Sequence, residues 1–295
     1  MQATAAGWFK EHNYATHSRY PYILADRERW QENIILPQVA AYVAQIKQER
    51  EKDKKIFPLH KYVHHGLSSQ AMLFNLVGPL IVRNDFAPLA DAFEKAGIPF
   101  PAGTVSVELE IEDRRVFNED AGQPTSIDLV IRGAADAPAL FIESKLVEKE
   151  FGGCSVFQNG DCDGQNPKDD LGQCFLHHTG KLYWKKLDAL GFMNGRFAAS
   201  PICPLANYYQ YFREVMFALD KRGYFVLLAD ERNPVFHRTG KAGERGLMPF
   251  LLQFVPPQHR EFVRMITIQS VVQAIEHTGR HTDWIGEFKS KYGIY

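Results

Sequence analysis

Cysteine, net charge and long apolar runs are all scarce in this sequence of 295 residues. Four cysteines are too few for a scaffold held together by disulfides. Lys and Arg number 34 against 35 Asp and Glu, so no basic field covers the surface, and binding of nucleic acid would need a local basic groove. The most apolar stretches, residues 74–82 and 246–255, are shorter than the roughly 20 residues that cross a membrane.

Disorder and secretion are not indicated either. Aromatic residues at 13% and charged residues at 23% are typical of a chain that folds around a core. The first ten residues contain no basic stretch followed by an apolar run, so no signal peptide is expected. We therefore expect a cytoplasmic, soluble protein with reduced thiols and no membrane association.

Helical signals dominate the beginning of the chain. Asp26 can cap a short helix, and Pro37 suits the first turn of a second helix. Ser68 can cap a third helix, which is expected to break near Gly78–Pro79. Asp85 can open a fourth.

The periodicity changes to two at residue 105. Apolar and polar residues alternate over residues 105–112, 126–131 and 140–146, and short loops over 118–124 and 133–138 join these segments. This pattern predicts a three-stranded antiparallel meander. Residues 224–229 are a continuous apolar run that suits a buried strand.

The element order predicts one mixed α/β domain, 1–295, in four parts. Residues 1–67 are a helical N-terminal extension, and the core comprises 68–149 and 205–230. Residues 150–204, rich in Gly, Asn, Asp and Cys, are interpreted as an insertion. Residues 231–295 are expected to be a helical part, with helices over 258–264, 268–276 and 283–292.

The meander carries the most informative group of residues. Glu143 and Lys145 are two apart on one strand and so share a face, and a hairpin places Asp128 beside them. Burying carboxylates on a sheet is costly unless they are paired or bind a cation. Two carboxylates on a rigid scaffold favour Mg²⁺, and a neighbouring lysine can orient a water. The alternative is a sheet whose outer face carries Glu143 and Lys145 as an exposed pair.

At these residues the sequence resembles the PD-(D/E)xK nuclease superfamily, the restriction-endonuclease-like fold. The matching segments are residues 125–130 (TSIDLV) and 141–145 (FIESK), and the likeness covers roughly residues 68–230. It is closest to restriction-endonuclease-like bacterial proteins of that superfamily. The resemblance implies a mixed α/β sheet flanked by helices.

The resemblance also implies a function and its residues. Asp128 and Glu143 would bind Mg²⁺, which Mn²⁺ could replace, together with the backbone carbonyl of Ser144. Lys145 would position the water that attacks a DNA phosphodiester, as in a restriction-type endonuclease. Two positions depart from the family pattern: Ile127 precedes the aspartate where the family has proline, and Gln70 stands where many members place a glutamate.

The helix after the insertion presents Gln210 and Arg213 on one side. In the superfamily this helix often borders the active site, so the resemblance makes Gln210 and Arg213 candidates to contact phosphate or the scissile strand, with Gln210 as the candidate catalytic residue. The alternative is a solvated polar face. Glu110, on the preceding strand, could reach the same cluster.

All four cysteines, Cys154, Cys162, Cys174 and Cys203, fall within the insertion. Their clustering suggests a structural Zn²⁺ site, since four thiolates can hold a loop that has no core. Their irregular spacing, without a Cys-x-x-Cys pair, is equally compatible with free thiols.

Other functions remain open at this point. The same residues could cut RNA or a branched repair intermediate, or the chain could be a nucleic-acid-binding module with an idle site. An unrelated α/β protein with a charged sheet face is a further alternative. Restriction enzymes often work as two-fold dimers on palindromic sites, so a homodimer is also open.

Overall fold

The computed structural model describes residues 1–103, 105–120, 122, 124–134, 137–241 and 243–295. Its strands are β1 (Ser106–Glu112), β2 (Ser126–Arg132), β3 (Leu140–Lys145), β4 (Tyr224–Ala229), β5 (Arg238–Gly240), β6 (Gly243–Arg245) and β7 (Val263–Thr267). Its α-helices are α1 (Gln2–Glu11), α2 (Pro37–Lys52), α3 (Ser69–Val82), α4 (Ala87–Lys95), α5 (Ser155–Gln158), α6 (Phe175–His178), α7 (Tyr183–Ala189), α8 (Arg196–Ala199), α9 (Pro204–Asp220), α10 (Leu247–Leu252), α11 (Ile268–His277) and α12 (Ile285–Tyr292). Short 3-10 helices lie at Arg27–Asn33, Leu171–Gln173, Phe192–Asn194 and Pro257–Phe262.

A five-stranded mixed sheet in the order β1-β2-β3-β4-β7 forms the centre of the molecule. β1, β2 and β3 form the predicted antiparallel meander, β4 pairs with β3 in parallel, and β7 pairs with β4 in parallel. The predicted loops over 118–124 and 133–138 include residues 121, 123, 135 and 136, which lie outside the described residues. Together with the helices at the N-terminus, this sheet confirms the predicted fold class.

Two apolar layers cover the two faces of the sheet. Leu140 and Ile142 of β3 belong to the layer built with α1 to α4, α11 and α12, and Phe141 belongs to the layer built with α7, α9 and α10. Because strand side chains alternate, Glu143 and Lys145 point to the same side as Phe141, towards α9. β3 is the middle strand and all six of its residues are buried, so its polar side chains lie within the core.

The C-terminal part differs from its prediction. The helix expected over 258–264 is a 3-10 helix that ends at Phe262, and β7 follows it as an edge strand of the sheet. The five residues of β7 are too few to show a period by themselves, so pairing with β4 decides their conformation. The other two predicted helices are α11 and α12.

The N-terminal predictions hold at two caps and fail at two other points. Asp26 accepts from the Glu28 N–H and Ser68 from the Ala71 N–H, as caps do. The break expected at Gly78–Pro79 is wrong, because α3 continues to Val82 and is buried from residue 70 to 80. Asp85 caps no helix; its carboxylate contacts His281 instead.

The insertion is not uniform. The short helices at its start, including α5 and α6, contain no buried residue, whereas α7 buries Tyr183, Trp184 and Leu187 in the second apolar layer. Its second half is therefore part of the core, contrary to the expectation. Within the described ranges, no helix combines the length and apolar character needed to cross a bilayer.

Candidate active site

The register of β2 and β3 places Asp128 opposite Glu143. The last backbone pair joins Leu129 to Ile142, and the next step along both strands reaches these two residues. At this point the Asp128 side chain replaces a backbone acceptor, because the Ser144 N–H donates to Asp128 Oδ2 at 2.9 Å. The N–H and C=O of one strand residue point to the same neighbour, so the Ser144 carbonyl also faces β2.

Glu143, Lys145 and Gln210 form a closed triangle of contacts. Lys145 Nζ lies 2.7 Å from Glu143 Oε1, and Gln210 Nε2 donates to the same oxygen at 2.7 Å. Lys145 Nζ also donates to Gln210 Oε1 at 3.0 Å. The structure therefore brings the four predicted side chains, Asp128, Glu143, Lys145 and Gln210, to one place between the sheet and α9. The alternative of an exposed surface pair is wrong, because Glu143 and Lys145 are 3% and 7% exposed.

Glu214 joins this cluster and was missed from the sequence. It lies four residues after Gln210, is 2% exposed and shares a hydrogen bond with the Gln210 side chain. Residues four apart share a helix face, so the signal was available once Gln210 had been singled out. The sequence pattern instead suggested Arg213 as the neighbour of Gln210.

Glu110 also reaches the cluster, from β1. Its carboxylate accepts from Gln70 Nε2 at 2.6 Å and from Ser126 Oγ at 3.2 Å. Gln70 occupies the place where the resemblance implies a glutamate, and Glu110 brings a carboxylate to that same place from the strand.

The backbone of Glu110 is held in an unusual conformation. Its φ is +52°, a left-handed value that costs about 1–2 kcal/mol for a residue with a Cβ. The Arg50 guanidinium donates to the carbonyls of Leu109, at 2.6 Å, and Glu110. Arg50 thus fixes this turn of the strand, which buries the Glu110 carboxylate where strict alternation would expose it.

The cluster holds four carboxyl groups and one ammonium. Burial and then the negative charge of Glu143 raise the pKa of both Asp128 and Glu214 well above their usual values. Burial, with a contribution from Glu143, raises the pKa of Glu110 to about 7. For Lys145 burial opposes charge, but Glu143 and Glu214 raise its pKa overall. The excess of carboxylates favours a bound cation.

The donor set fits a hard divalent metal. Glu143 Oε2 and Glu214 Oε2 are buried without a hydrogen-bond partner in the described part of the chain. The described residues offer no group of three or more His, Cys, Asp or Glu side chains able to hold a metal. A Mg²⁺ site does not need such a group, because Mg²⁺ keeps several waters and binds through one or two carboxylates. Two carboxylates and a carbonyl are therefore enough.

A family model described as "Restriction Endonuclease associating with ARP" matches residues 1–293. The chain belongs to this family of restriction endonucleases. Comparisons with curated proteins and with solved structures give no match. The family supports a nuclease acting on DNA, in agreement with the sequence analysis.

Arg213 does not join the site of this restriction endonuclease family member. Its Nε donates to Thr125 Oγ1 at 2.8 Å and lies 3.7 Å from Glu119 Oε1, and its guanidinium stacks over the Tyr209 ring. Tyr183 OH donates to the same Glu119 oxygen at 2.6 Å. Arg213 therefore ties α9 to the start of β2, and the sequence-based grouping of Arg213 with Gln210 at the substrate is not supported.

The four cysteines are free and lie together, apart from this cluster. Cys154, Cys162, Cys174 and Cys203 all line one small cavity between the insertion and the start of α9. Their clustering in the sequence suggested a shared site, although their irregular spacing matched no regular ligand pattern.

Proposed function

We propose that this protein is a Mg²⁺-dependent restriction-type endonuclease of the PD-(D/E)xK superfamily, which hydrolyses DNA phosphodiester bonds. One observation carries the proposal: Asp128 lies opposite Glu143 on paired strands, with Lys145 Nζ 2.7 Å from the Glu143 carboxylate. Membership in a restriction endonuclease family supports the same reaction class.

Asp128, Glu143 and the Ser144 carbonyl would hold the metal. These groups are oxygen donors, which Mg²⁺ prefers and which Mn²⁺ also accepts. Bound Mg²⁺ supplies Lewis-acid stabilisation of charge on the phosphate and lowers the pKa of a bound water. The unpartnered Glu143 Oε2 supports this assignment, since a buried carboxylate oxygen without a partner is costly.

Lys145 would act as a hydrogen-bond donor rather than as a base. The charges of Glu143 and Glu214 raise its pKa, so the ammonium stays protonated at neutral pH. A fixed ammonium can donate to the attacking water and stabilise the negative charge that develops on the phosphate. Its role is therefore to orient the water and to stabilise charge.

Gln210 and Glu214 would position Lys145. The Gln210 amide donates to Glu143 through Nε2 and accepts from Lys145 through Oε1, which orients both side chains. Glu214 shares a hydrogen bond with the Gln210 side chain and so helps to hold it against Lys145. Both come from α9, so the packing of this helix on the sheet sets the geometry of the site.

Cleavage assays on plasmid and linear DNA with Mg²⁺ or Mn²⁺ test the proposal. Lys145→Met and Glu143→Gln should each lower the rate by ~10²–10⁴-fold, because each removes a group that acts in the transition state. Glu108→Gln is the matched control, since Glu108 is an exposed residue of β1 that pairs with Arg132. Cleavage that survives both site substitutions would refute the assigned roles.

Parallel substrates separate the alternatives. Turnover of RNA or of branched DNA only, abolished by the same substitutions, would replace the restriction assignment with another nuclease activity. DNA binding without turnover in any divalent metal would show a binding module.

A further inference from the structure

Four thiols from distant points of the chain meet at one cavity. The cavity of about 40 Å³ has room for one small occupant, and Cys154, Cys162, Cys174 and Cys203 all line it. The Cys154 thiol is within electrostatic range of Cys162 and Cys174, and the Cys203 thiol is within range of Cys154 and Cys174. These four are all the cysteines of the chain, and the structure gathers them although they span fifty residues.

Each of the four sulfurs accepts N–H hydrogen bonds. Gly164 N–H donates to Cys162 at 3.4 Å, and the buried Trp184 indole Nε1–H donates to Cys174 at 3.2 Å.

The other two sulfurs are hydrogen-bonded by the backbone that follows them. Residues 156 and 157 contact Cys154, and residues 205 and 206 contact Cys203. A neutral thiol is a weak acceptor, whereas N–H donors stabilise a thiolate. Burial opposes this and raises the pKa of both the Cys154 and the Cys203 thiol, so negative charge on these sulfurs needs a bound cation.

The segment around the cysteines has no core of its own. The helices α5 and α6 and the 3-10 helix Leu171–Gln173 are three or four residues long and bury no residue. Helices of this length do not persist in water by themselves. A structural metal supplies folding free energy directly, which is how loops without a core are commonly held.

The backbone already brings the ligand segments together. Cys154 N–H donates to the Ala206 carbonyl at 2.9 Å, and Cys203 N–H donates to the Gly164 carbonyl at 2.8 Å. An isolated bridge joins Gln165 to Ile202. Binding of one metal by all four sulfurs would then need side-chain rotations that turn the sulfurs inward. Such rotations are required, because no three metal-ligating side chains converge within the described ranges.

We propose that Cys154, Cys162, Cys174 and Cys203 bind one structural Zn²⁺ as four thiolates. The site lies next to the proposed active site but does not depend on it. The Gln210 N–H donates to the Gly152 carbonyl at 2.9 Å, two residues before Cys154. Zinc would therefore hold the segment that meets α9 at Gln210, and it would take no part in hydrolysis.

Metal analysis of the full chain, purified under reducing conditions, is the first test. We expect one zinc per chain and thiols that react with a thiol reagent only after chelation. Replacement by Co²⁺ should give thiolate-to-cobalt charge-transfer bands and the visible spectrum of a tetrahedral site. Zinc-free protein that binds neither Zn²⁺ nor Co²⁺, disulfides between these cysteines, or iron with inorganic sulfide would each overturn the proposal.

Two substitutions sharpen the test while leaving all four cysteines in place. Trp184→Phe keeps the aromatic ring but deletes the N–H that contacts Cys174, and it should lower zinc affinity by ~10–100-fold, as loss of an outer hydrogen bond to a ligand does. His177→Ala removes an exposed histidine three residues from Cys174 and should leave affinity unchanged. Equal affinities in the wild type and Trp184→Phe would contradict the role of the sulfur hydrogen bonds.

Discussion

At the end of β3 the polar residues lie on paired strands, whereas the four cysteines lie in turns and at the starts of helices. Strand register fixes Asp128 against Glu143, and the surrounding apolar layers bury the charges at a cost in stability. The cysteine segment between residues 154 and 181 buries little and is joined to the rest by a few backbone hydrogen bonds. One region is ordered by packing around unfavourable charges, and the other is the segment that the proposed zinc would hold.

Asp128→Asn should give the largest effect, since it should lower the cleavage rate and raise the stability of the metal-free protein. DNA cleavage should fall by ~10²–10⁴-fold because a proposed metal ligand is lost. Burial, Glu143 and Glu110 raise the pKa of Asp128, so its ionised form destabilises the fold without metal at neutral pH. The variant should therefore unfold at higher denaturant concentration in EDTA at pH 8.

Glu108→Gln provides the comparison for both measurements. Its carboxylate is exposed on β1, so neither cleavage nor stability should change by more than a small amount. An Asp128→Asn protein that is less stable than the wild type in EDTA would show that the carboxylate is not under electrostatic strain.

Glu110 should make the metal-free protein lose stability as pH rises. Its folded-state pKa of about 7 exceeds its usual value of 4.5, so between these values the folded state binds a proton that the unfolded state lacks. Stability is therefore highest at the acidic end of this window and falls towards pH 7, by up to about 3 kcal/mol. Denaturation in EDTA at pH 5.5 and 8 measures the slope.

Glu110→Gln should remove this slope, because the amide does not titrate. Only the difference between the two proteins is diagnostic, since other groups titrate in both. Parallel stability curves for the wild type and Glu110→Gln would contradict the raised pKa of Glu110.

β1, β2 and β3 were predictable because they show period two, and β4 because it is a continuous apolar run. The same period placed Glu143 and Lys145 on one face, and a hairpin of ordinary length brought Asp128 to them. β7 was not predictable, since it is five residues long and only its pairing with β4 reveals it.

The backbone contacts between α9 and the insertion required coordinates. α9 contains a non-helical residue, Tyr208, at φ −129° and ψ 37°, which shifts the phase of its faces. The kink frees the Ala206 carbonyl for Cys154 and the Gln210 N–H for Gly152. Gln210, Arg213 and Glu214 all follow the kink, so it does not change how they group with one another, and the pairing of Gln210 with Glu214 was available from their spacing of four.

Tyr183→Phe should lower stability without changing the cleavage rate, because the packed half of the insertion supports the fold and not the chemistry. It deletes only the hydroxyl that donates to Glu119 Oε1 in the buried network of Thr125 and Arg213. The free energy of unfolding should fall by about 1–3 kcal/mol, because a buried carboxylate loses a donor. The cleavage rate of folded protein should not change, since this network does not contact Asp128 or Glu143.

Tyr20→Phe, at an exposed tyrosine, serves as the control and should change neither quantity. A loss of cleavage in folded Tyr183→Phe protein would place the network within the catalytic machinery.

The smallest expected effect concerns the half of the insertion that buries little, residues 154–181. Zinc is removed by chelation under reducing conditions, followed by desalting. Trypsin should then cut near Lys168 and Lys181 about 10-fold faster or more, because the segment can unfold locally without first losing a bound metal. The sheet should remain resistant, since its buried strands open only with the whole domain. Trp184→Phe should lie between the zinc-bound and zinc-free proteins. Mass spectrometry of the fragments locates the cuts, and equal cutting with and without zinc would mean that packing alone orders this segment, as it does the sheet.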